Sequence, residues 1–156
     1  MDVLHKDKVR PEWIDYNGHF NDGFYVVCFS GGIDALMRHV GIDEAYRTGS
    51  KRSIYSLEFH ISYLAEAHEG AALNIGCQLL DADEKRMHAY FEMRGEDGTL
   101  HAVLESMLLH VDQNGEPKSA PFPPEIDALV QAKLEKDKAL PWPDRAGRSI
   151  GIKRKA

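Results

Sequence analysis

Cysteine is scarce in this chain, with only Cys28 and Cys77 among 156 residues. Both sit in apolar stretches and form no metal-type spacing, so they read as buried, reduced thiols. No apolar run approaches the ~20 residues that a membrane-crossing helix needs. The opening MDVLHKDKVRPEW carries too much charge for a secretory leader. Positive charge is also in short supply: 19 basic residues face 25 acidic ones, a formal net charge of −6. That balance argues against a binder of nucleic acid, because such domains are usually basic. There is no Gly-x-Ser-x-Gly elbow and hence no sign of a serine hydrolase. There is no helical His-x-x-x-His either, and His60, His68, His88, His101 and His110 are scattered without ligand spacing. No metal site and no cofactor are expected, and the chain reads as soluble and cytoplasmic.

What remains is ordinary globular material, 43% hydrophobic and 28% charged. A chain of this length suits one domain and buries roughly 68–70% of its unfolded surface. Asp2 to Arg10 reads as a first strand ended by Pro11, and Glu12 to Asn21 as a loop with the turn pair Asn17-Gly18. Asp22 to Val40 then carries the longest helical pattern. Phe24, Tyr25, Val27, Cys28, Phe29, Ile33, Leu36, Met37 and Val40 form a wide apolar stripe, which predicts a largely buried helix ~28 Å long. Asn21 or Asp22 is a fair N-cap and Gly41 a fair stop. Inside it, Gly31-Gly32 costs ~1 kcal/mol per glycine relative to alanine, which close backbone packing would offset. A short helical turn over Asp43–Arg47 follows.

Strands are predicted over Ser53–Leu64, Leu73–Leu80, Arg86–Arg94 and Leu100–Val111, joined by short turns such as Asp97-Gly98. On the first of these, Tyr55, Leu57, Phe59, Ile61 and Tyr63 share one face. The expectation is an α+β fold, one antiparallel sheet curled around one long central helix, over residues 1–115. Residues 116–156 would add a polar helix at Glu125–Lys138 and a basic, Pro/Gly-rich tail, extended or frayed, on or near the same domain.

The densest polar cluster is WIDYNGHFNDGFY, residues 13–25, at the entrance to the buried helix. Unpaired N–H groups and the positive end of the macrodipole meet there. A carbonyl oxygen becoming an oxyanion would be stabilised at such a place, with the Asp15 carboxylate just upstream. That suits acyl transfer or hydrolysis. The plainer alternative is a loop whose Asp, Asn and Gly serve turns and caps.

With Asp15, Gly18, His19 and Asn21 in an Asp-x-x-Gly-His-x-Asn pattern, then Tyr25 in an aromatic-rich helix and four strands, residues 3 to about 113 resemble the hotdog-fold thioesterases of the 4-hydroxybenzoyl-CoA thioesterase-like group. The resemblance implies an acyl-CoA hydrolase that forms a dimer or tetramer, with active sites at the dimer interface. It implies Asp15 as nucleophile or general base, Asn21 as a positioning group, and backbone N–H groups around Asp22, Gly23 and Phe24 as the oxyanion site. His19 is either a base or substrate contact or a structural group bonded to the loop backbone. Other members place their acid inside the helix. Here only Asp34 stands in that part, and it reads as a solvated charge. Asp22 departs from the amide many relatives have, adding a second negative charge beside Asp15.

Trp13, Tyr16, Phe20 and Tyr55 are candidate pocket walls, with Glu58 as a secondary polar candidate; their alternative role is ordinary packing. Aromatic faces bind quaternary ammonium groups, and the chain is similar to the branch that hydrolyses betainyl-CoA in carnitine breakdown. A general short- or medium-chain acyl-CoA is the alternative substrate. A non-catalytic acyl-CoA-binding module on the same fold is a further one. Lys51, Arg52, Arg145, Arg148, Lys153 and Arg154 are candidates for the CoA phosphates, or merely a solvated surface.

Overall fold

The computed structural model describes residues 1–152 and Arg154. The chain runs β1 (Asp2–Lys8), a 3-10 turn (Pro11–Trp13), α1 (Asp22–His39), α2 (Glu44–Ser50), β2 (Arg52–Tyr63), β3 (Ala72–Ala82), β4 (Arg86–Arg94), β5 (Leu100–Asp112), β6 (Lys118–Ser119) and α3 (Pro124–Asp137). All strand pairs are antiparallel, in the order β1-β3-β4-β5-β2, with β6 on the end of β5. The expected α+β layout is the observed one. The short strand β6 carries no hydrophobic alternation, which is why the sequence does not announce it.

Helix α1 lies across the inner face of the sheet. Its Tyr25, Cys28, Phe29, Ile33, Leu36 and Met37 meet inward residues of β3, β4 and β5 such as Ile75, Phe91 and Leu104 in one buried cluster. The glycine pair does what its cost requires. A Cβ on Gly32 would stand 2.8 Å from the Ile75 Cγ2, and one on Gly31 2.6 Å from the His5 Nε2. At Gly32 the helix packs on the Ile75 side chain too closely for a Cβ, whereas at Gly31 the close neighbour is the movable end of the His5 side chain. Both thiols are buried and free, and burial pushes each up to about 12, which leaves them unreactive.

One expectation needs correction. The single face predicted for Tyr55, Leu57, Phe59, Ile61 and Tyr63 is split: Tyr55 stands opposite Leu109 and Phe59 opposite Ser106, on opposite sides of the sheet, and all of the five but Ile61 are exposed. A bulge between Ser56 and Glu58 interrupts the register, and β2 is an edge strand with a single neighbour. The C-terminal segment, expected to be a helix and an extended or frayed tail on or near the same domain, packs against the sheet at several points. Helix α3 sends Ile126, Val130 and Leu134 into the main core. Beyond it, Trp142 sits edge-on to the His88 ring, and the Gly147 N–H donates to both oxygens of Glu105 (3.0 and 2.8 Å).

Candidate active site

The loop between the 3-10 turn and α1 is built around Asp15. A bridge from Ile14 to Phe20 closes it, and Gly18 takes the left-handed backbone (φ +78°) that the turn demands. The Asp15 N–H donates to the His19 carbonyl (2.9 Å), and the Gly18 N–H to the Asp15 carbonyl (3.0 Å). One carboxylate oxygen, Oδ1, accepts from the N–H groups of Asn17 (2.7 Å) and His19 (3.2 Å). Among the described residues, Oδ2 accepts from no protein donor. The carboxylate is thus held by one oxygen and offers the other.

Two further contacts aim this loop. The Phe20 N–H donates to the Ala67 carbonyl (2.9 Å), sewing the loop to the segment that follows β2. The start of β5 holds that segment, because the His101 carbonyl accepts from the N–H groups of Leu64 and Ala65. Between loop and segment opens a cleft of about 500 Å³. Asp15, Tyr16, His19, Phe20, Asn21 and Asp22 line it from one side, and Tyr63, Leu64, Ala65 and Glu66 from the other, with Tyr25 of α1 between them. Three carboxylates and four Tyr or Phe side chains line the space, and among the described residues no Lys or Arg does.

The aromatic groups form a connected layer. Phe20 packs on Tyr25 at 4.1 Å between ring centroids, and Tyr25 meets Tyr63 edge-on at 5.2 Å. The Tyr63 hydroxyl donates to the Asp22 carbonyl (3.2 Å). Burial pushes the Tyr25 hydroxyl up to about 12, and burial with the Asp22 charge raises Tyr63, so both phenols stay protonated across the neutral range.

At the helix start most of the backbone donors are bonded within the chain. Asn21 is the N-cap, its Oδ1 accepting from the Gly23 N–H (3.0 Å). The Asp22 carboxylate accepts from the same N–H (2.9 Å), and the Phe24 N–H already donates to the Asn21 carbonyl (3.1 Å). Two of the three expected oxyanion donors are therefore engaged within the chain. Among the described residues the Asp22 N–H has no protein acceptor.

Other candidates lie elsewhere. Trp13 is buried, stacked on Phe20 and Phe24 with the Arg10 guanidinium over its ring, so it supports the wall from behind. Tyr55 takes a hydrogen bond from Gln113 (3.0 Å) and is not in the cleft. Glu58 lines a separate hollow with His60, His88, Glu105 and Arg148. Asp34 is exposed on α1, as expected of a solvated charge. Among the candidate CoA contacts, Arg52 pairs with Asp112 (3.3 Å), none lines the cleft, and Lys153 lies outside the described residues.

Sequence reading misses Tyr63 and Glu66 as site residues. They stand more than forty positions from the motif, and only the loop-to-segment hydrogen bond brings them in. It also misses that His19, Glu66 and His68 converge: their ligand atoms all lie within 4.8 Å of one another. Linear histidine spacing cannot report a cluster assembled from two loops.

The family model of the thioesterase-like superfamily matches residues 9–130. The chain belongs to that superfamily. It is 44% identical over 151 residues to the betainyl-CoA thioesterase of Pseudomonas aeruginosa, covering 96% of this chain and 94% of that one. It is 40% identical to the L-carnitine dehydrogenase/betainyl-CoA thioesterase of Rhizobium meliloti, covering 94% of this chain but 29% of that longer protein. In structure it is similar to a Staphylococcus aureus protein solved in complex with CoA, with a TM-score of 0.89 at 27% identity over 97% of this chain and 96% of that one. The fold is the hotdog fold, and the thioesterase is a thioester hydrolase. No helix of the described residues is long and apolar enough to cross a membrane.

Proposed function

We propose that this chain is an acyl-CoA thioesterase whose acyl group carries a quaternary ammonium, with betainyl-CoA as substrate, and that Asp15 acts on the thioester carbonyl. The observation that carries the substrate is the cleft lining. Rings of Phe20, Tyr25 and Tyr63 line the cleft, and Asp15, Asp22 and Glu66 supply negative charge with no Lys or Arg among the described residues beside them. A trimethylammonium head gains about 0.5–2 kcal/mol per aromatic face. A carboxylate-bearing acyl group would be repelled. The similarity to betainyl-CoA thioesterases points the same way.

Asp15 has two routes. As nucleophile, its free Oδ2 attacks the carbonyl carbon and expels CoA thiolate. The resulting mixed anhydride is then hydrolysed by water. As general base, Oδ2 takes a proton from the water that attacks. In both, the donors left for the oxyanion are the Asp22 N–H and the Asn21 side-chain amide, whose oxygen is spent on the cap. His19 fixes the Asp15 carboxylate through its backbone.

A homodimer fits the same reading. Tyr55, Leu57 and Phe59 are exposed on an edge strand with open hydrogen-bonding groups. Pairing two copies there would satisfy those groups and cover apolar side chains that are exposed in the single chain.

The test compares betainyl-CoA with 3,3-dimethylbutanoyl-CoA, which has the same shape and no charge, by following CoA thiol release. The expected preference in kcat/KM for the cation is about tenfold or more, since each aromatic face contributes up to ~2 kcal/mol to holding a cation. Asp15→Asn should abolish turnover while the variant stays folded. Equal rates on the two thioesters would sink the cation reading and leave the hydrolase standing. Full activity in Asp15→Asn would remove Asp15 from the mechanism.

A further inference from the structure

We propose that His19, Glu66 and His68 form a binding site for a divalent transition-metal ion such as Zn²⁺, at the rim of the acyl cleft. The three residues come from two segments. His19 belongs to the loop before α1, and Glu66 and His68 flank Ala67 in the stretch after β2. Ala67 is buried and its carbonyl is bonded to the Phe20 N–H, so its two neighbours are turned outward beside the loop. Both are exposed, whereas His19 is half-buried.

The spacing of the three ligand atoms is compatible with a metal ion. Ligands bound to Zn²⁺ at about 2.0–2.1 Å and at the tetrahedral angle stand about 3.3–3.4 Å apart. His19 Nε2 and Glu66 Oε2 are 3.3 Å apart. The His68 ring centroid is 5.3 Å from that of His19, and all three ligand atoms fall within 4.8 Å of one another. His19 is the fixed member, because its backbone N–H and carbonyl are both tied to Asp15. The exposed side chains of Glu66 and His68 have the freedom to close the remaining distance. Two imidazoles and one carboxylate, with no thiolate, select zinc and its first-row neighbours rather than soft copper(I), calcium or magnesium. The exposed side leaves room for water to complete the coordination. Asp15 and Asp22 in the same cleft add a negative field that favours the ion.

The consequence for turnover rests on the function proposed above. An ion at this rim consumes the Glu66 charge and sets a positive charge where the trimethylammonium group would sit. Zn²⁺ would then oppose a cationic acyl group.

Metal binding is measured first, on the full chain freed of any affinity tag. Calorimetric titration with Zn²⁺ should give one ion per chain, and Co²⁺ should develop visible absorption bands of a low-coordinate N/O site. His68→Ala and Glu66→Gln, both at exposed positions, should each weaken Zn²⁺ by about tenfold or more, while His88→Ala, on the separate hollow, leaves it unchanged. Thermal unfolding in the absence of metal checks that the variants fold. No stoichiometric Zn²⁺ uptake, or uptake undiminished in His68→Ala, would overturn the site and would leave the thioesterase reading intact. With binding established, Zn²⁺ should raise the KM for betainyl-CoA in wild type and not in His68→Ala; equal inhibition of the two would overturn the link to the cleft.

Discussion

At the β3 edge the chain supplies its own cover. Strand β1 begins at Asp2 opposite Cys77, and β3 runs on to Ala82. Beyond that point α3 takes over: the Lys133 ammonium donates to the Cys77 carbonyl (3.2 Å), and the Asp137 carboxylate accepts from the Leu79 N–H (2.7 Å). The two side chains pair at 2.7 Å and are almost wholly buried. At the β2 edge no strand follows, and Tyr55, Leu57 and Phe59 stand in the open. The same polar backbone groups are satisfied internally on one side and left for a neighbour on the other. A buried ion pair is costly to assemble, so its presence at the β3 edge shows how much an uncovered edge costs.

The largest effect should come from opening the closed edge. Asp137→Ala leaves the Lys133 charge buried and the Leu79 N–H unpaired, and should cost about 3–5 kcal/mol in urea unfolding. A loss near zero would mean that α3 is not what seals β3. Next is Gly32→Ala, which drives a methyl to 2.8 Å from Ile75 on the same strand. Overpacking costs about 1–3 kcal/mol, and the ~1 kcal/mol helix gain of alanine offsets only part of it. The smallest effect on chain stability belongs to the open edge. Leu57→Lys should change unfolding by no more than about 0.5 kcal/mol. If two copies pair through this edge as proposed above, sedimentation equilibrium should nonetheless show the variant shifted toward monomer. A variant that sediments like wild type would break the contrast between the edges.

Legibility follows range. The order of elements, the long buried helix, the N-cap at Asn21 and the close packing at Gly31-Gly32 are all readable, because periodicity, capping and glycine cost act within a few residues. Half of the cleft is readable as well: Asp15, Tyr16, His19, Phe20, Asn21 and Asp22 lie in one run. Tyr63 and Glu66 are not, since a hydrogen bond between Phe20 and Ala67 brings them in, and nothing local encodes that pairing. Alternation on β2 suggests one shared face, but the bulge between Ser56 and Glu58 turns Tyr55 and Phe59 to opposite sides, and nothing local announces it. The tail shows the same limit, because the bond from Gly147 to Glu105 spans 42 positions.

By itself, the sequence determined which segments are helix and strand, that α1 is buried, and that a carboxylate stands at the helix entrance. Those outcomes depend on side-chain spacing and on backbone groups a few residues apart. Only the tertiary structure decided which donors at the helix start are already spent, which aromatic rings line the cleft, and that two histidines and a glutamate meet at its rim. Those depend on distances between segments far apart in the chain, which the packing of α1 against the sheet and the hydrogen bond that sews the Asp15 loop to the stretch after β2 bring together.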